Sequence, residues 1–181
     1  MKTLIISDIH GSIDRLNDVL DTPFPYDRLL LVGDLMYHGP RNPILEDYNP
    51  KAVSERLNQV DCPIIAVRGN CDSEVDQMLC QFPIMQDYTI TEWNELTIMV
   101  THGHLFEPDL EGPRQAVDLF ISGHTHVPVL KQIDQTIIYN PGSIALPKEN
   151  HPNTYGYLDG RTLTTYRLDH KVYMQTTIES K

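Results

Sequence analysis

The hydrophobic residues of this chain follow two patterns, and the change falls near Tyr88. Before it, short continuous apolar runs alternate with stretches in which apolar residues recur every three or four positions. Continuous runs are typical of strands buried on both faces, whereas the wider spacing predicts amphipathic helices. After it, short apolar segments separated by turn pairs such as Asp159-Gly160 predict strands almost exclusively. The order is that of an α/β chain with a β-rich second half.

Three helices are predicted in the first half, each starting at a residue that caps helix N-termini. They follow Ser12, the pair Asn49-Pro50, and Ser73, which is expected to form a capping box with Asp76. The apolar residues at helical spacing are Ile13, Leu16 and Leu20 in the first helix, Val53, Leu57 and Val60 in the second, and Val75, Met78, Leu79 and Phe82 in the third. Each helix is therefore expected to bury one apolar face.

Strands dominate the predicted second half. The expected strands are Tyr88–Glu92, Leu96–Thr101, Leu119–Ser122, Val129–Ile133, Thr136–Asn140, Thr154–Leu158 and Leu163–Leu168. With the strands of the first half, they fit one mixed sheet, or two stacked sheets with helices outside. No repeat, low-complexity tract or polar linker divides the chain, so residues 1–181 are expected to form a single domain.

Three long loops that contain glycine and proline follow predicted strands. They span Tyr37–Pro50, His102–Gln115 and Pro141–Asn153. Loops longer than about a dozen residues in a compact domain are usually functional. We expect these loops to form the walls of a pocket.

Five of the apolar runs end at residue types that bind metals. The runs read LIISD, LLLVGD, IIAVRGN, TIMVTH and FISGHTH. The side chains at or just beyond their ends are Asp8, His10, Asp34, Asn70, His102, His124 and His126. Ligands of open α/β sheets bind beyond the carboxyl ends of the strands. The pattern therefore predicts that these side chains meet at one edge of a sheet.

Each of these motifs also has an ordinary structural explanation. The D-x-H motif at residues 8–10 is common by chance, and the G-D and G-N pairs at residues 33–34 and 69–70 are typical of turns. The histidines favour a metal site, because T-H-G-H at 101–104 and G-H-T-H at 123–126 place four of the eight histidines behind apolar strands. Imidazole with carboxylate and amide donors suits Mn, Fe, Co, Ni or Zn.

Composition and charge restrict the class of protein. The 181 residues carry a net charge of −11 with a pI near 5.0, which argues against a broad nucleic-acid-binding surface. The first apolar stretch is interrupted at Asp8, and no run reaches membrane-spanning length, so a cytoplasmic location without membrane contact is expected. Cys62, Cys71 and Cys80 are too scattered for a disulfide framework or a zinc knuckle, and reduced thiols are expected.

The ordered motifs D-x-H, G-D, G-N-x-D, T-H-G-H and G-H-T-H resemble those of the calcineurin-like metallophosphoesterase superfamily, over essentially the whole chain. The segments YHGPRNP, VRGNCDSEVDQML and NPGS are similar to those of the small bacterial YfcE-type phosphodiesterases. The resemblance implies a sandwich of two stacked mixed β-sheets flanked by helices. It also implies a binuclear metal site and hydrolysis of phosphate esters.

The resemblance further implies how the ligands are shared between two metal ions: Asp8, His10 and His126 on the first, Asn70, His102 and His124 on the second, and Asp34 on both. Seven ligands overfill one coordination sphere but leave open positions when divided between two ions, as catalysis requires. The expected reaction is attack of a metal-bridging hydroxide on a small phosphodiester. Mn²⁺ is the preferred cofactor, with Zn, Ni, Fe or Mg as alternatives.

One position departs from the wider superfamily. Many members have a histidine directly after the G-N asparagine, thought to protonate the leaving oxygen, whereas this chain has Cys71. A thiol is a poor acid catalyst near neutral pH, and leaving-group protonation typically contributes about 10²–10⁴-fold. Diesters are therefore expected to be preferred over alkyl monoesters, with His38 or His104 as alternative donors. Cys71 could equally be inert packing.

Other polar residues near the motifs are candidates for substrate contact or support. Arg41 and Arg68 suit phosphate oxygens, with His38 and Asn70 as further substrate contacts. Asp72 is expected to orient a ligand imidazole, or to be only a turn residue. Further candidates to line the pocket are Tyr37, Asn42 and Ser143.

Two alternatives from other classes remain open. The same fold serves as a noncatalytic subunit of the retromer complex, in which ligand positions are degraded and surfaces recruit partners. This chain keeps every ligand position, which favours an enzyme. A closed structural metal site would instead make folding depend on the metal. A homo-oligomer is compatible with the sequence, which does not identify the physiological substrate.

Overall fold

The helices and strands fall where the hydrophobic pattern predicts nearly all of them. A computed structural model describes residues 1–106 and 117–179, and within these ranges it has three helices and eleven strands. The helices are α1 (Ile13–Leu20), α2 (Pro50–Leu57) and α3 (Glu74–Leu79). The strands are β1 (Lys2–Ile6), β2 (Arg28–Leu31), β3 (Ile64–Ala66), β4 (Tyr88–Trp93), β5 (Leu96–Thr101), β6 (Leu119–Ile121), β7 (Val129–Ile133), β8 (Thr136–Asn140), β9 (Thr154–Asp159), β10 (Thr162–Arg167) and β11 (Val172–Thr177). The predicted loop His102–Gln115 lies partly outside the described residues.

The strands form two mixed sheets. One has six strands in the order β11-β10-β9-β1-β2-β3, and the other has five in the order β4-β5-β6-β8-β7. β1, β2 and β3 run parallel, and so do β5, β6 and β8, while the remaining neighbours are antiparallel. The carboxyl ends of the parallel strands in each sheet therefore lie at the same edge.

Alternation along the strands divides the apolar side chains between two large cores. Leu4 and Ile6 of β1 pack beneath the helices, whereas Ile5 between them packs toward the second sheet. There it joins a core that includes Ile98 of β5 and Leu119 of β6. Because strand side chains alternate faces, the sheets are stacked with helices outside the six-stranded one, which confirms the predicted sandwich.

The predicted N-caps hold the loops near the sheet edge in different ways. At α2 the Asn49 side chain accepts from Ala52 N, as expected of a cap. At α1 the Ser12 hydroxyl makes no cap and instead donates to Asp47, whose carboxylate also accepts from Asp14 N at 3.1 Å. This contact fastens the end of the loop between β2 and α2 onto the start of α1.

The third helix differs from its prediction in what it buries. Its capping box between Ser73 and Asp76 is present, yet none of its residues is buried. Val75 and Met78 are 65% and 82% exposed, so the expectation of an apolar face against the core is wrong. The helix ends at Leu79, and Phe82 beyond it packs against the core from the following loop.

The pattern did not predict β11. This strand forms the edge of the six-stranded sheet and pairs only with β10, from Thr162 opposite Thr177. Its residues are mostly exposed or partly exposed, including Val172 and Tyr173. Its apolar residues stop at Met174 and are followed by Gln175, Thr176 and Thr177, so the segment shows neither a long apolar run nor a clear alternation.

Among the described residues, no helix has the length and apolar character needed to cross a membrane.

Candidate metal centre

The ends of the parallel strands bring the predicted ligands together. Asp8 and His10 follow β1, Asp34 follows β2, His102 follows β5, and His126 lies just after β6. The ligand atoms of Asp8, His10 and His126 lie within 4.8 Å of one another, and so do those of Asp8, Asp34 and His102. All five side chains are buried. Apolar strands thus deliver carboxylates and imidazoles to one buried cluster.

The backbone at these strand ends adopts a conformation that non-glycine residues rarely use. Positive φ angles occur at five of the predicted ligands: Asp8 (55°), His10 (47°), Asp34 (56°), His124 (67°) and His126 (61°). Such conformations cost free energy and persist where surrounding contacts impose them. Their concentration in one cluster indicates that the fold holds these side chains for a function.

Backbone carbonyls orient three of the ligand imidazoles. The Nδ1 atoms of His10, His102 and His126 face the carbonyl oxygens of Tyr37, Val32 and Leu146, at 2.8, 2.6 and 2.6 Å. A carbonyl oxygen can only accept, so each Nδ1 carries a proton, and each Nε2 offers its lone pair to a metal once it is deprotonated. Protein metal ligands are commonly fixed in this way.

The inward atoms lack the partners that buried polar atoms need. Asp8 Oδ1 and His102 Nε2 are buried and have no hydrogen-bond partner. His10 Nε2 lies 3.2 Å from His126 Nε2, a contact that is a hydrogen bond only if one of the two nitrogens carries a proton. Unpaired buried acceptors are costly, and a cation placed among them satisfies all of them at once. The donor set therefore fits divalent metal ions.

Each carboxylate has one oxygen anchored and one directed inward. Asp8 Oδ2 accepts from Ser7 Oγ at 2.6 Å, and Asp34 Oδ1 accepts from Cys71 N at 2.8 Å. Asp34 Oδ2 lies 3.6 Å from His10 Nε2 and 3.4 Å from His102 Nε2. One carboxylate oxygen therefore lies between two imidazoles that come from different sheets.

Two glycines allow the backbone to approach these carboxylates. A Cβ added at Gly69 would overlap Asp34 Oδ1, and one added at Gly123 would overlap Ser7 Oγ and approach Asp8 Oδ2 to 2.9 Å. Any larger residue would displace an oxygen that anchors the cluster. The glycines of the G-N and G-H-T-H motifs are thus required by contact with the ligands.

Charges within the cluster shift the acidities of its members. Burial would raise the pKa of Asp8, but contacts with His10 and His126 hold it well below its usual range. Burial would lower the pKa of His102, but the carboxylate of Asp34, 3.4 Å from Nε2, and that of Asp8 raise it to about 9. The cluster without metal therefore retains protons that a metal ion must displace.

We expect the chelated protein to lose stability as pH rises from about 6.5 to about 9. The pKa of His102 is 6.5 when unperturbed and about 9 in the fold, so its stabilising contribution is complete below 6.5 and lost above 9. Thermal unfolding in chelator at both pH values measures the loss, and His102→Gln should remove part of it. With Mn²⁺ the trend should reverse, because deprotonation favours metal binding. Equal pH slopes for the chelated wild type and His102→Gln would contradict the expectation.

Asn70, His124 and Cys71 lie where the cluster meets an open cavity of about 540 Å³. Its lining residues include His10, Asp34, Arg41, Asn42, Asn70, Cys71, His124, Thr125, His126 and Lys148. Asn70 is exposed, and its Nδ2 donates to Cys71 Sγ at 3.3 Å. Burial, with Asp34 close by, raises the pKa of the Cys71 thiol to about 12. Ligands of the cluster are therefore accessible from one side.

Asp72 supports the centre in a way that the sequence did not indicate. Its carboxylate accepts from the backbone N–H groups of Asp34 (2.9 Å), Leu35 (2.8 Å) and Gly69 (2.7 Å), and not from a ligand imidazole. The expected contact with an imidazole is therefore wrong, because the ligand histidines use backbone carbonyls instead. Asp72 joins the segments that carry Asp34 and Asn70.

The other predicted site residues are distributed unevenly around the cavity. Arg41 lines it, whereas Arg68 does not and binds Asp87 through Nε and Nη2 at 3.0 and 2.5 Å. His38 lies against the rings of Tyr37 and Tyr48 and does not line the cavity either. An arginine already paired with a carboxylate is a weaker candidate for phosphate.

His104 borders the cluster itself. Its ring centroid is 5.4 Å from that of His102 and 6.2 Å from that of His124, and its Nδ1 is buried without a partner. Burial and the charges of His102 and His124 lower its pKa. Of the two predicted alternative donors, His104 is thus the one beside the ligands.

Two residues of the loop between β8 and β9 have positions that the sequence did not predict. Ser143, a predicted lining residue, is fully buried and donates from Oγ to the carbonyl of Asp8 at 2.7 Å. Lys148 lines the cavity and was not predicted. No motif marks a lysine within a loop, and only the tertiary structure brings it to the site.

Comparison with known proteins gives consistent matches over the whole chain. A family model for the calcineurin-like phosphoesterase superfamily domain matches residues 1–162. Phosphodiesterase YfcE of Escherichia coli strain K12 is 42% identical over 181 residues, which covers 98% of each chain. The probable metallophosphoesterase YsnB of Bacillus subtilis is 26% identical over 166 residues, covering 87% of this chain and 83% of that protein.

Solved structures extend the comparison to the fold. The structure of YfcE, a phosphoesterase from E. coli, matches with a TM-score of 0.91 and 42% identity, covering 99% of this chain and 100% of the other. Vacuolar protein sorting 29 from Cryptosporidium parvum matches with a TM-score of 0.66 at 19% identity over 97% of each chain. At that identity the likeness shows the fold alone.

Proposed function

The chain belongs to the calcineurin-like phosphoesterase superfamily, and we propose that it is a binuclear metal-dependent phosphodiesterase acting on a small phosphate diester. The relative named as a phosphodiesterase supports the reaction. The observation that carries the binuclear proposal is the position of Asp34 Oδ2, 3.6 Å from His10 Nε2 and 3.4 Å from His102 Nε2. An oxygen shared between two groups of ligands is what a bridging carboxylate requires.

The proposed ligands divide around that oxygen. They are Asp8, His10 and His126 for one ion, Asn70, His102 and His124 for the other, and Asp34 for both. The mutual distances among Asp8, His10 and His126 support the first group, and those among Asp8, Asp34 and His102 support the position of the bridge. Mn²⁺ is the proposed metal, because the donors mix oxygen with imidazole nitrogen and include no thiolate.

The chain's own residues prepare the reaction by orientation and access. When bound, two divalent ions supply Lewis acidity and an activated water for in-line attack on phosphorus. Backbone carbonyls at Tyr37, Val32 and Leu146 hold the imidazoles, and Cys71 N holds Asp34 Oδ1. Asn70 and His124 face the open cavity, where a phosphoryl group can reach the cluster. No nucleophile from the chain is required.

The residues that could protonate a leaving group are weak donors, which favours diesters that have good leaving groups. Cys71 lines the cavity, and burial keeps its thiol a very weak acid, with a pKa of about 12. His104 beside the ligands has a lowered pKa and is therefore mostly neutral at neutral pH. Neither group is an effective proton donor under those conditions. Alkyl monoesters, which depend on such a donor, are proposed to be poor substrates.

Replacing Cys71 by histidine should improve hydrolysis of esters with poor leaving groups. An imidazole beside Asp34 can protonate a leaving oxygen, an effect that typically contributes about 10²–10⁴-fold, and we expect a gain of at least about tenfold. The measurement is the ratio of kcat/KM for an alkyl and an aryl ester of equal charge. Cys71→Ser is the matched control and should leave the ratio unchanged. An unchanged ratio in Cys71→His would place the leaving group away from this position.

Activity on matched esters tests the proposed function itself. With Mn²⁺, an aryl phosphate diester should be hydrolysed faster than the monoester of the same phenol. Chelation should abolish turnover while circular dichroism shows the fold retained, because an open catalytic site does not hold the chain together. Unfolding on chelation would favour a structural metal site, and failure to cleave any ester would favour a noncatalytic role. A cytoplasmic location and homo-oligomer formation stay predictions from the sequence.

A further inference from the structure

The cavity beside the predicted metal ligands is also lined by basic side chains. Its volume of about 540 Å³ falls within the range of small-molecule sites, roughly 300–1,000 Å³. Arg41 from the loop between β2 and α2 lines it, and so does Lys148 from the loop between β8 and β9. Both side chains are exposed and able to reach a ligand. Neither is of a type that binds metal.

These two cations have no acidic partner in the part of the chain that the structure describes. Other basic side chains of the protein form ion pairs, as Arg56 does with Asp21 and Arg68 with Asp87. No such contact involves the side chain of Arg41 or Lys148 among the described residues, although the chain carries a net charge of −11. Two unpaired cations in one cavity of an acidic protein indicate an anionic ligand.

Arg41 and Lys148 each lie in a loop whose backbone carbonyl accepts a hydrogen bond from a predicted ligand histidine. The Tyr37 carbonyl accepts from His10 Nδ1, and the following turn is held by Asn42, whose Nδ2 donates to the His38 carbonyl at 2.8 Å. Arg41 lies within that turn. The positions of the backbone at Arg41 and of the His10 imidazole are therefore linked.

The loop between β8 and β9 is built in the same way. The Leu146 carbonyl accepts from His126 Nδ1, and Lys148 N donates to the His126 carbonyl at 3.4 Å. A tight turn follows, with His151 N donating to the Lys148 carbonyl at 3.0 Å. The backbone at Lys148 is thus held next to His126, whose imidazole and carbonyl both bond to this loop.

We propose that Arg41 and Lys148 form a subsite for a second phosphate group, so that the substrate is a phosphodiester that also carries a phosphate monoester. The inference rests on the proposed function, because it describes the substrate of the same site. Two divalent ions against Asp8 and Asp34 already outweigh the single charge of a diester. The positive charges of Arg41 and Lys148 add to this excess, which favours a ligand with more negative charge than a simple diester. Guanidinium binds phosphate oxygens bidentately, and ammonium adds a point charge.

A matched pair of dinucleotides tests the subsite on the Mn²⁺-loaded protein. The substrates are thymidylyl-thymidine with and without a terminal 5′-phosphate. The wild type should prefer the phosphorylated form by about tenfold or more in kcat/KM, mainly through KM, since charge-assisted hydrogen bonds add to binding. Arg41→Ala and Lys148→Ala should each remove most of that preference. Lys51→Ala, which removes an exposed lysine paired with Glu55 on α2, is the control.

Binding provides a readout that does not depend on turnover. Calorimetry should show that thymidine 3′,5′-bisphosphate binds more tightly than thymidine 5′-monophosphate, and that Lys148→Ala loses the difference. Equal affinities, or a difference unaffected by both substitutions, would overturn the subsite. If an aryl diester is cleaved and the two dinucleotides are used equally, the subsite is wrong and the proposed function stands. If no diester is cleaved, the proposed function fails, and the calorimetric comparison alone decides the subsite.

Discussion

Asp34→Asn is expected to reduce diester turnover by at least about 10²–10³-fold, the effect of removing one preorganised electrostatic group from an active site. The amide keeps the carboxylate's shape, and its oxygen can still accept from Cys71 N as Asp34 Oδ1 does at 2.8 Å. Its NH₂ group would then face His10 and His102, where Oδ2 now lies. A hydrogen-bond donor cannot bind a cation, so the variant should also bind about one metal ion fewer per chain.

The variant is informative because it changes charge without changing volume. Steady-state kinetics and metal content should be measured on the same preparation, with circular dichroism to confirm the fold. Asp18→Asn, an exposed carboxylate on α1 that pairs with Arg15 at 3.7 Å, is the matched control and should behave as wild type. Full activity of Asp34→Asn with an unchanged metal content would remove the bridging role from Asp34.

Asp72→Ala is expected to be the most destabilising single substitution in the site. The carboxylate accepts from three buried backbone N–H groups, those of Asp34, Leu35 and Gly69. Leaving buried donors without a partner costs about 1–3 kcal/mol each, and we expect a total loss of about 3–5 kcal/mol. Because the same contacts hold Asp34 and Asn70 in place, metal affinity should fall as well, by about 10–100-fold.

Thermal unfolding and metal titration of Asp72→Ala and Asp72→Asn separate packing from hydrogen bonding. The asparagine retains one acceptor oxygen of the right shape, so its losses should lie between those of wild type and alanine. Glu74→Ala, in the exposed first turn of α3, serves as the control for substitutions in this segment. If Asp72→Ala unfolds and binds metal as wild type does, the backbone contacts do not support the centre. If only metal affinity falls, Asp72 acts on the ligands without stabilising the fold.

The order of strands and ligands was predictable because parallel strands leave a strong local signal. Continuous runs such as residues 4–6 and 29–31 are buried on both faces, and the polar residue after each run has to lie at the sheet edge. The sequence alone therefore predicts that the D-x-H and G-H-T-H motifs lie at the same edge of the sheets. Alternation within β1 explains why its apolar side chains divide between two cores.

Features that depend on tertiary contacts were not predictable in the same way. The helical spacing of α3 indicated a buried face, but none of the six residues of this short surface helix is buried. The edge strand β11 has only a short apolar segment, since none of its residues is buried. Asp72 has the same local sequence whether it binds an imidazole or backbone amides, and the fold alone decides between them.

The fold alone does not distinguish an enzyme from a noncatalytic scaffold, and the likeness to vacuolar protein sorting 29, at 19% identity, concerns the fold only. In this chain, five of the predicted ligands adopt left-handed backbone conformations, and two inward polar atoms among them are buried without partners. A scaffold that acts through its surface has no use for such strain. The strained residues lie in the buried cluster and not on the exposed surface of α3, where a partner protein could bind. This location supports a site that acts on a small ligand.

The central proposal, two ions sharing Asp34, is tested most directly by titrating the metal-free protein with Mn²⁺ and recording low-temperature electron paramagnetic resonance. We expect activity to follow the binding of a second ion per chain, together with the spectrum of two spin-coupled Mn²⁺ ions. In Asp34→Asn the coupled spectrum should be absent. Full activity at one ion per chain, with the spectrum of isolated Mn²⁺, would contradict a shared Asp34.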